Sequence, residues 1–319
     1  MKKILITGGS GFIGTNLIEF YKDKVNILNI DIVKPKNKEH TQYWKNVDIN
    51  NYKELDSAIS KFNPDIVIHM AARTDLDGKS LEDYSTNIQG VENILKITDK
   101  IESITKVIFA SSRLGCKIGY KPQNEFDYCA TTIYGESKII GEQLVRNYKE
   151  YSKKWIIVRP TSIWGPWFDI PYKNFFTTIK KNRYIHPKNK EIYKLFGYVK
   201  NSVYIINKLI DNDTLNSKTI YLSDFKALEV HNWANIISNE LHKKNVKQVP
   251  LFVLKALANI GDLIKYFGYK HPPLTNFRLD NLLTQMIYDI KDVKSIVGEL
   301  PYSLKSGVKE TIIWMKEHE

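Results

Sequence analysis

Cysteines and clustered metal ligands are scarce in this chain. Its 319 residues include two cysteines, Cys116 and Cys129, and their spacing fits neither a metal site nor a disulfide framework. The seven histidines form no HExxH or similar ligand cluster. We therefore expect a protein of a reducing compartment, the cytoplasm, with no structural metal.

Long hydrophobic runs are also missing. The apolar run in MKKILITGG has four residues and leads directly into glycines, which argues against a signal peptide or a spanning segment there. The most apolar later stretch, Leu251 to Ile264, is interrupted by Lys255 and Asp262. It predicts an amphipathic helix packed on the protein, with a membrane-surface role as the less favoured alternative. No membrane partner is expected.

Acidic residues are outnumbered by basic ones. The chain has 47 Lys and Arg against 35 Asp and Glu, a net charge of +12. Such an excess fits an anionic partner, such as nucleic acid, a membrane surface or a phosphorylated metabolite. The lysines are scattered, however, and no aromatic-flanked basic stripe occurs. Composition bias is the favoured explanation, and no nucleic-acid partner is expected.

Short β-rich runs alternate with helical periodicity in the first half of the chain. The runs KILIT, VNILNID, DIVIHMAA and KVIFASS are each separated by segments of helical pattern or polar sequence. This alternation predicts an α/β fold, a Rossmann-type doubly wound parallel sheet with helices on both faces. After WIIVRP the pattern loosens and becomes mostly helical. We therefore predict a first domain over residues 1–165 and a smaller, mostly helical C-terminal substrate lobe over residues 166–319, interleaved with the sheet.

A glycine-rich motif, TGGSGFIG, lies between the first predicted strand and the first predicted helix. Its glycines, Gly8, Gly11 and Gly14, allow a tight turn and the close approach of a pyrophosphate to the helix N-terminus. Asp31 ends the next strand, 23 residues after Gly8, where a carboxylate accepts hydrogen bonds from the adenosine ribose and repels a 2′-phosphate. The first domain is therefore predicted to bind NAD rather than NADP. Asp48 either bonds the adenine amino group or is an ordinary loop or capping residue.

Four further motifs, DIVIHMAA, NIQGVEN, FASS and RPTSIWGP, accompany the glycine motif. Together they resemble the extended short-chain dehydrogenase/reductase family, in its NAD-dependent epimerase/dehydratase branch, which acts on nucleotide-linked sugars. The resemblance covers nearly the whole chain. It implies that Ala71 and Ala72 lie against the cofactor and that Asn87 is a structural and proton-relay member of the site. It also implies that FASS carries the catalytic hydroxyl of Ser112, with Ser111 as the fallback.

The spacing Tyr-x-x-x-Lys occurs four times, at YGESK, YIHPK, YIINK and YFGYK, starting at Tyr134, Tyr184, Tyr204 and Tyr266. Hydride removal from an alcohol carbon needs a base for the hydroxyl proton, and a nearby lysine lowers the pKa of a tyrosine. Only Tyr134 with Lys138 follows a strand predicted to end at the cofactor, because a proline interrupts the second copy and the others lie beyond the sheet. The predicted cofactor contacts are Gly8, Gly11, Phe12, Ile13, Gly14, Asp31, Ile32, Asp48, Ile49, Ala71, Ala72, Asn87, Tyr134 and Lys138.

The chain departs from the family pattern on the substrate side. In sugar 4,6-dehydratases the catalytic hydroxyl is followed by the Asp and Glu that eliminate water, but here Arg113 and Leu114 follow it, so a dehydratase is disfavoured. Ser162 replaces the asparagine of many relatives, and GYVKNS replaces a usual aspartate pair. Arg113 is predicted either to contact substrate or to form a surface ion pair. The predicted substrate contacts are Arg113, Thr161, Ser162, Arg183 and Arg278, the last two as counter-charges of a diphosphate or else as structural arginines.

The resemblance implies NAD-dependent oxidation of a secondary alcohol, at C4, of a nucleotide-activated sugar used in surface polysaccharides. A 4-epimerase returns the hydride to the other face of the keto sugar, a 4-dehydrogenase releases it, and both fit the sequence. Hexoses and heptoses fit equally, a GDP-linked heptose 4-dehydrogenase being one specific candidate. The altered segments SSRLGCKIG and GYVKNS motivate the alternative of an NAD-binding regulatory or scaffold protein without turnover. A homodimer is implied through helices around residues 87–97 and 134–148.

Overall fold

A seven-stranded parallel sheet forms the centre of the molecule. The computed structural model describes residues 1–169, 171–269 and 272–318. Its strands are β1 (Lys3–Thr7), β2 (Asn26–Ile30), β3 (Trp44–Lys45), β4 (Ile66–His69), β5 (Lys106–Ala110), β6 (Lys154–Pro160), β7 (Ser162–Trp164), β8 (Ile185–Pro187), β9 (Tyr193–Lys194), β10 (Phe196–Tyr198), β11 (Lys218–Leu222), β12 (Leu228–Glu229) and β13 (Lys247–Val249). The main sheet has the order β11-β6-β5-β4-β1-β2-β3. The strand order reverses between β1 and β4, where ligands bind in doubly wound folds. The predicted Rossmann-type fold is confirmed.

Helices cover both faces of this sheet. They are α1 (Phe12–Tyr21), α2 (Tyr52–Phe62), α3 (Ser85–Lys100), α4 (Ile133–Asn147), α5 (Tyr172–Lys180), α6 (Val199–Asp211), α7 (Val230–His242), α8 (Leu251–Tyr266), α9 (Asn276–Leu283), α10 (Lys291–Val297) and α11 (Leu304–His318). Successive strand residues point to opposite faces. Ile4 and Ile6 accordingly belong to the core shared with α1 and α6, while Leu5 belongs to the core shared with α2 and α3. Each such side chain contributes roughly 1.5–3 kcal/mol through burial.

The chain returns to the sheet after the predicted boundary at residue 165. Strand β11 pairs with β6 at the sheet edge, and α6 packs on α1. Lys106, fully buried on β5, donates hydrogen bonds from its ammonium group to the carbonyls of Leu209, Ile210 and Asn212 at 3.0, 3.1 and 2.7 Å. These carbonyls end α6, and a cation there favours the helix dipole. Residues 199–222 are thus part of the sheet layer.

An aromatic core lies between the sheet and the C-terminal helices. Trp164 on β7 packs against Phe176, Tyr198 and Trp233, with ring centroids 5.9, 5.0 and 5.4 Å apart. Each of these rings is almost wholly buried. Because the rings come from β7, α5, β10 and α7, their packing fixes the second lobe against the carboxyl edge of the sheet.

Helices α8 and α9 form a separate layer at the edge of the second lobe. Their small core contains Leu254, Ala258 and Leu279. An amphipathic helix would have a polar outer side. The outer side of α8 instead exposes large apolar side chains. None of the helices in the described part of the chain has the length and apolar character that crossing a bilayer requires.

Candidate active site

The glycine motif forms a turn at the carboxyl end of β1. Gly8 has φ +71°, and a Cβ there would lie 2.6 Å from the backbone nitrogen of Ala71. A Cβ on Gly14 would lie 2.2 Å from the Gly8 carbonyl oxygen, so this position in the first turn of α1 fits only a glycine. Helix α1 begins after Gly11 and has no side-chain cap. Its N-terminal N–H groups suit a phosphate.

The predicted adenosine contacts lie on the next two strand ends. Asp31 follows β2 directly, and its carboxylate accepts hydrogen bonds from the backbone nitrogens of Ser10 and Val33 at 3.1 and 2.9 Å. Burial raises the pKa of Asp31, and those backbone hydrogen bonds oppose the rise. Asp48 is exposed and accepts a hydrogen bond from the Asn50 backbone nitrogen at 2.9 Å. That turn holds the Asp48 carboxylate at the loop surface.

Four more predicted cofactor residues lie at this edge. Phe12 and Ile13, at the start of α1, are half-buried, and Ile32 is largely exposed next to Asp31. Ile49 is buried under α3, where a Cβ on Gly90 would lie 2.4 Å from its Cδ1 atom. Phe12, Ile13 and Ile32 thus remain accessible at this edge, whereas Ile49 packs against α3.

Asn87 connects three segments around the site. Its side-chain oxygen accepts a hydrogen bond from the backbone nitrogen of Arg73 at 2.8 Å, and its amide donates to the carbonyl of Arg73 at 3.0 Å. The same amide donates to the Ser137 hydroxyl at 2.9 Å, which donates to the Tyr134 carbonyl at 2.7 Å. Asn87 on α3 therefore fixes the loop after Ala71 and Ala72 to helix α4.

Ser112, Tyr134 and Lys138 meet at the carboxyl end of β5. Thr132 caps α4 by accepting a hydrogen bond from the Gly135 nitrogen at 3.0 Å, which places Tyr134 and Lys138 one turn apart on one face. The Lys138 ammonium group donates to the Ala110 carbonyl at 2.8 Å. The Ser112 hydroxyl lies beside the Tyr134 phenol. Helix α4 thus holds the pair against the end of the strand that carries Ser112.

Burial dominates the titration of this pair. It raises the pKa of Tyr134, and the Ser112 hydroxyl and the charge of Arg113 oppose the rise. Burial also lowers the pKa of Lys138 to about 8, and the charge of Glu142 opposes the fall. With no ligand charge nearby, the site favours a neutral phenol. A positive charge brought into it would shift the phenol towards ionisation.

The other Tyr-x-x-x-Lys copies lie elsewhere. Tyr184 bonds to His186 at 3.0 Å near β8, away from a continuous helix. Tyr204 lies on α6, where the Lys208 ammonium group sits 5.3 Å from its ring centroid. Tyr266 is 84% exposed at the end of α8, and Lys270 lies outside the described residues.

A second group of side chains interacts with Arg113, which directly follows Ser112 in the chain. The positive charge of Arg113 acts on Tyr172, Lys194 and Tyr288, and Ser162 lies beside Tyr172. Lys194 on β9 is 4% exposed and donates to the carbonyls of Asn281 and Thr284 at 2.6 and 2.7 Å. Burial and then the charge of Arg113 lower the pKa of Lys194 to about 8. We call Arg113, Ser162, Tyr172, Lys194 and Tyr288 the cation cluster.

The remaining predicted substrate residues are arranged differently. Thr161 is buried and donates its hydroxyl to the Leu222 carbonyl at 2.9 Å. Arg183 is exposed in the loop after α5. Arg278 is exposed on α9, where its guanidinium donates to the Pro272 carbonyl at 2.6 Å. Of the five predicted residues, Arg113 and Ser162 therefore belong to the cation cluster.

Sequence reasoning missed Lys194, Tyr172 and Tyr288. Lys194 had a local signal, since it is a lone charge in the otherwise apolar run IYKLFGY and is deeply buried. The two tyrosines had none, because 116 residues separate them and only the fold brings both to Arg113.

A buried ion pair lies under Lys138. Arg159 on β6 donates two hydrogen bonds to the Glu142 carboxylate, at 2.8 and 2.7 Å, and Tyr128 donates a third at 2.8 Å. Glu142 lies one turn after Lys138 on α4. Because this carboxylate is neutralised by a bidentate arginine, it supports the position of Lys138 without an exposed negative charge.

His69 is a further buried group that sequence reasoning did not single out. It ends β4, and its ring nitrogen Nδ1 lies 2.7 Å from the Thr7 hydroxyl. Burial lowers the pKa of His69 to about 3, and the charge of Lys138 adds to that effect. The imidazole is thus neutral at physiological pH, and it joins the two central strands beneath the cofactor edge.

These features fit a bound dinucleotide. The turn has no Cβ between its backbone and a pyrophosphate, α1 is uncapped by side chains, and Asp31 stands at the end of the neighbouring strand. A phenol, a hydroxyl and an ammonium group meet at the same edge. Fold and site together define a dinucleotide-dependent oxidoreductase of the Rossmann class.

Comparison with known proteins identifies the family. The model of the NAD dependent epimerase/dehydratase family matches residues 4–206. The chain belongs to this family, and NAD is the cofactor on which the family depends. The resemblance inferred from the sequence is confirmed.

Individual relatives are distant but align with most of the chain. The N-acetyl-alpha-D-glucosaminyl-diphospho-ditrans,octacis-undecaprenol 4-epimerase of Escherichia coli O157:H7 is 24% identical over 97% of this chain and 94% of its own. The GDP-6-deoxy-D-talose 4-dehydrogenase of Aggregatibacter actinomycetemcomitans is 28% identical over 79% and 84%. The crystal structure of UDP-glucuronic acid 4-epimerase from Bacillus cereus, in complex with UDP-glucuronic acid and NAD, has a TM-score of 0.75 at 17% identity, covering 99% of this chain and 100% of its own.

Proposed function

We propose that this protein oxidises the secondary alcohol at carbon C4 of a sugar diphosphate conjugate, with NAD as hydride acceptor. The observation that carries the proposal is the meeting of Ser112, Tyr134 and Lys138 at the cofactor edge, next to the cation cluster, whose Arg113 directly follows Ser112. A phenol beside a hydroxyl can hold an alcohol oxygen and take its proton. The cations on the other side suit a diphosphate.

Tyr134 acts as the base in this proposal. NAD, when bound, supplies the hydride acceptor and a positive nicotinamide ring. Ser112 shares the hydrogen bond to the reacting oxygen, and Lys138 keeps positive charge near the phenol while remaining anchored to the Ala110 carbonyl. The raised pKa of Tyr134 means that proton removal depends on these positive charges.

The cation cluster is proposed to hold the diphosphate or sugar hydroxyls. One terminal nitrogen of Arg113 is buried and has no hydrogen-bond partner among the described residues, and Lys194 faces it without an acidic partner in that same part of the chain. A buried cation without a counter-charge is costly, and an anionic ligand relieves that cost. Arg183 and Arg278 are proposed as outer contacts.

Two outcomes share the first oxidation step. The curated relatives include 4-epimerases and a 4-dehydrogenase. An epimerase returns the hydride after the keto sugar has turned over, and a dehydrogenase releases the keto sugar. Either activity would serve the synthesis of sugars for surface polysaccharides, and a GDP-linked heptose remains one candidate substrate.

A substrate panel tests the proposal. Purified protein with added NAD is incubated with UDP-, GDP- and dTDP-linked hexoses and heptoses and with a polyprenyl diphosphate sugar, while NADH absorbance and sugar products are followed. A keto sugar with stoichiometric NADH identifies a dehydrogenase, and a new stereoisomer without net NADH identifies an epimerase. Protein that retains NAD but leaves every sugar unchanged would contradict the proposal and favour a binding protein without turnover.

We further propose that the enzyme is a cytoplasmic homodimer formed through α3 and α4. These helices pack on each other, and they carry the half-buried side chains of Ile88 and Ile140, which belong to neither of the two large cores. Apolar side chains at a surface favour a self-contact. Light scattering on the purified protein is expected to give twice the chain mass of 37.1 kDa, and a monomer mass would reject the dimer.

A further inference from the structure

The outward surface of α8 and its neighbours is unusually apolar. Nine large side chains there, between 41% and 84% exposed, form what we call the α8 face: Phe252, Leu257, Ile260, Leu263, Ile264, Tyr266, Phe267, Tyr269 and Phe277. Single exposed apolar side chains are ordinary, but a contiguous group of this size marks an interaction surface. The reaction proposed above does not use this face.

The orientation of α8 is fixed by its packing on the other side. Leu254, Ala258 and Gly261 follow one another at helical spacing and are buried. A Cβ on Gly261 would lie 1.7 Å from the Leu274 carbonyl oxygen, so the helix lies directly against that segment. The helix therefore cannot rotate to bury Phe252, Ile260 and Leu263, which lie on the opposite side.

Positive charge predominates in the segment that carries the α8 face. Residues 243–269 contain a single acidic residue, Asp262, against five lysines, all of them exposed: Lys243, Lys244, Lys247, Lys255 and Lys265. The Asp262 carboxylate already accepts hydrogen bonds from the backbone and side-chain nitrogens of Asn276 at 3.2 and 2.7 Å. Within the described residues, Lys255 and Lys265 form no ion pair. Their charge is available to a partner.

We propose that the α8 face docks on the surface of an anionic lipid bilayer. An apolar helix face bordered by lysines inserts at the level of the headgroups, and the lysines meet anionic lipid. Tyr266, Phe267 and Tyr269 cluster at one end, where aromatic side chains suit the boundary between headgroups and hydrocarbon. A second copy of the chain fits less well, because a symmetric contact would bring the same lysines together. This proposal differs from the expectation, drawn from the sequence, that the protein has no membrane partner.

Vesicle co-sedimentation of the full-length protein tests the docking. The protein is expected to pellet with phosphatidylcholine vesicles that contain about one third phosphatidylglycerol, at least roughly tenfold more than with phosphatidylcholine alone, and to be partly released by high salt. Ile260→Ser/Leu263→Ser removes two exposed apolar side chains and is expected to lower the bound fraction about tenfold or more. Lys255→Glu/Lys265→Glu is expected to abolish the preference for anionic lipid.

The matched control is Ile313→Ser on α11, a 45% exposed isoleucine outside the α8 face. It is expected to bind vesicles like the wild type. Circular dichroism and turnover of a sugar nucleotide verify that all variants are folded, so loss of docking is separated from loss of the reaction. Wild-type protein that stays in the supernatant overturns the proposal, as does undiminished binding by Ile260→Ser/Leu263→Ser. A drop in mass by light scattering in that variant, without vesicle binding by the wild type, assigns the face to a second copy instead.

Discussion

The two sides of the candidate active site differ in how their polar groups are paired. On the cofactor side several polar groups bond one another: Asn87 holds the Arg73 backbone and Ser137, and Lys138 holds the Ala110 carbonyl. On the substrate side the Lys194 ammonium group donates to two carbonyls, but one terminal nitrogen of Arg113 is buried without a hydrogen-bond partner, and the described residues give neither cation an acidic partner. Hydrogen-bonded groups keep their positions without ligand, whereas buried cations without a counter-charge cost stability until an anion arrives.

This difference separates two tasks of the enzyme. We propose that the cofactor side holds one geometry for NAD and for a proton transfer at Tyr134. We propose that the positive charge of the substrate side pairs with the negative charge of an activated sugar. Changes on the first side should therefore affect folding, NAD binding or kcat, and changes on the second should affect KM.

Tyr134→Phe tests the proposed base, which lies between the cofactor side and the substrate side. Removal of the phenol hydroxyl is expected to lower kcat by about 10²–10⁴-fold because no other group can take the proton at that position. NAD binding, measured by fluorescence titration, is expected to persist. Tyr204→Phe, from the Tyr-x-x-x-Lys copy on α6, is the control and should keep wild-type kcat. Equal turnover by Tyr134→Phe would remove this residue from the mechanism.

Lys194→Met tests the substrate side. Loss of a charge-assisted contact costs about 1.5–3 kcal/mol, so KM for the sugar substrate is expected to rise roughly 10- to 100-fold. Removal of a buried charge without an acidic partner favours folding, while loss of the hydrogen bonds to the Asn281 and Thr284 carbonyls opposes it, so urea denaturation measures the balance. Lys194→Arg should retain most of the affinity, and Lys190→Met, at a nearby exposed position, should have no effect. A fall in kcat with an unchanged KM would contradict the division of tasks.

Gly14→Ala tests the cofactor side. The new Cβ would lie 2.2 Å from the Gly8 carbonyl oxygen and 2.5 Å from the Gly9 Cα atom. The turn must move, at a cost of roughly 1–3 kcal/mol in the free energy of unfolding, and NAD affinity should fall about tenfold or more. Urea denaturation and NAD titration measure the two effects. Gly268→Ala, at a glycine with no atom within 4 Å of its Cβ position, is the control for NAD affinity.

His69→Gln gives the smallest effect, visible as a dependence on pH. The folded pKa of His69, about 3, lies below its unfolded value near 6.5. Between these values the unfolded chain binds one more proton, so the folded state loses up to about 1.4 kcal/mol of stability per pH unit as the pH falls. The difference between wild type and His69→Gln in urea midpoints should shrink from pH 7 to pH 5. A pH-independent difference would show that His69 titrates normally in the fold.

Much of the cofactor side could be predicted because its signals are local. The turn glycines, Asp31 at a strand end and the one-turn spacing of Tyr134 and Lys138 are each written within a few residues. The substrate side could be predicted only in part. Arg113 and Ser162 were found beside known motifs, but Tyr172, Lys194 and Tyr288 come from three separate segments. Their meeting depends on how β9, α5 and the segment after α9 pack against β5.

The sequence by itself determined the alternation of strands and helices in the first half of the chain and the residues of the glycine turn, because period, glycine and strand-end position act over short distances. Tertiary structure alone decided which cations share a site and which apolar face of α8 stays uncovered. The burial that lowers the pKa of Lys194 and the carbonyl that presses on Gly261 both come from segments distant in the chain. Neither effect exists until the second lobe has packed against the sheet.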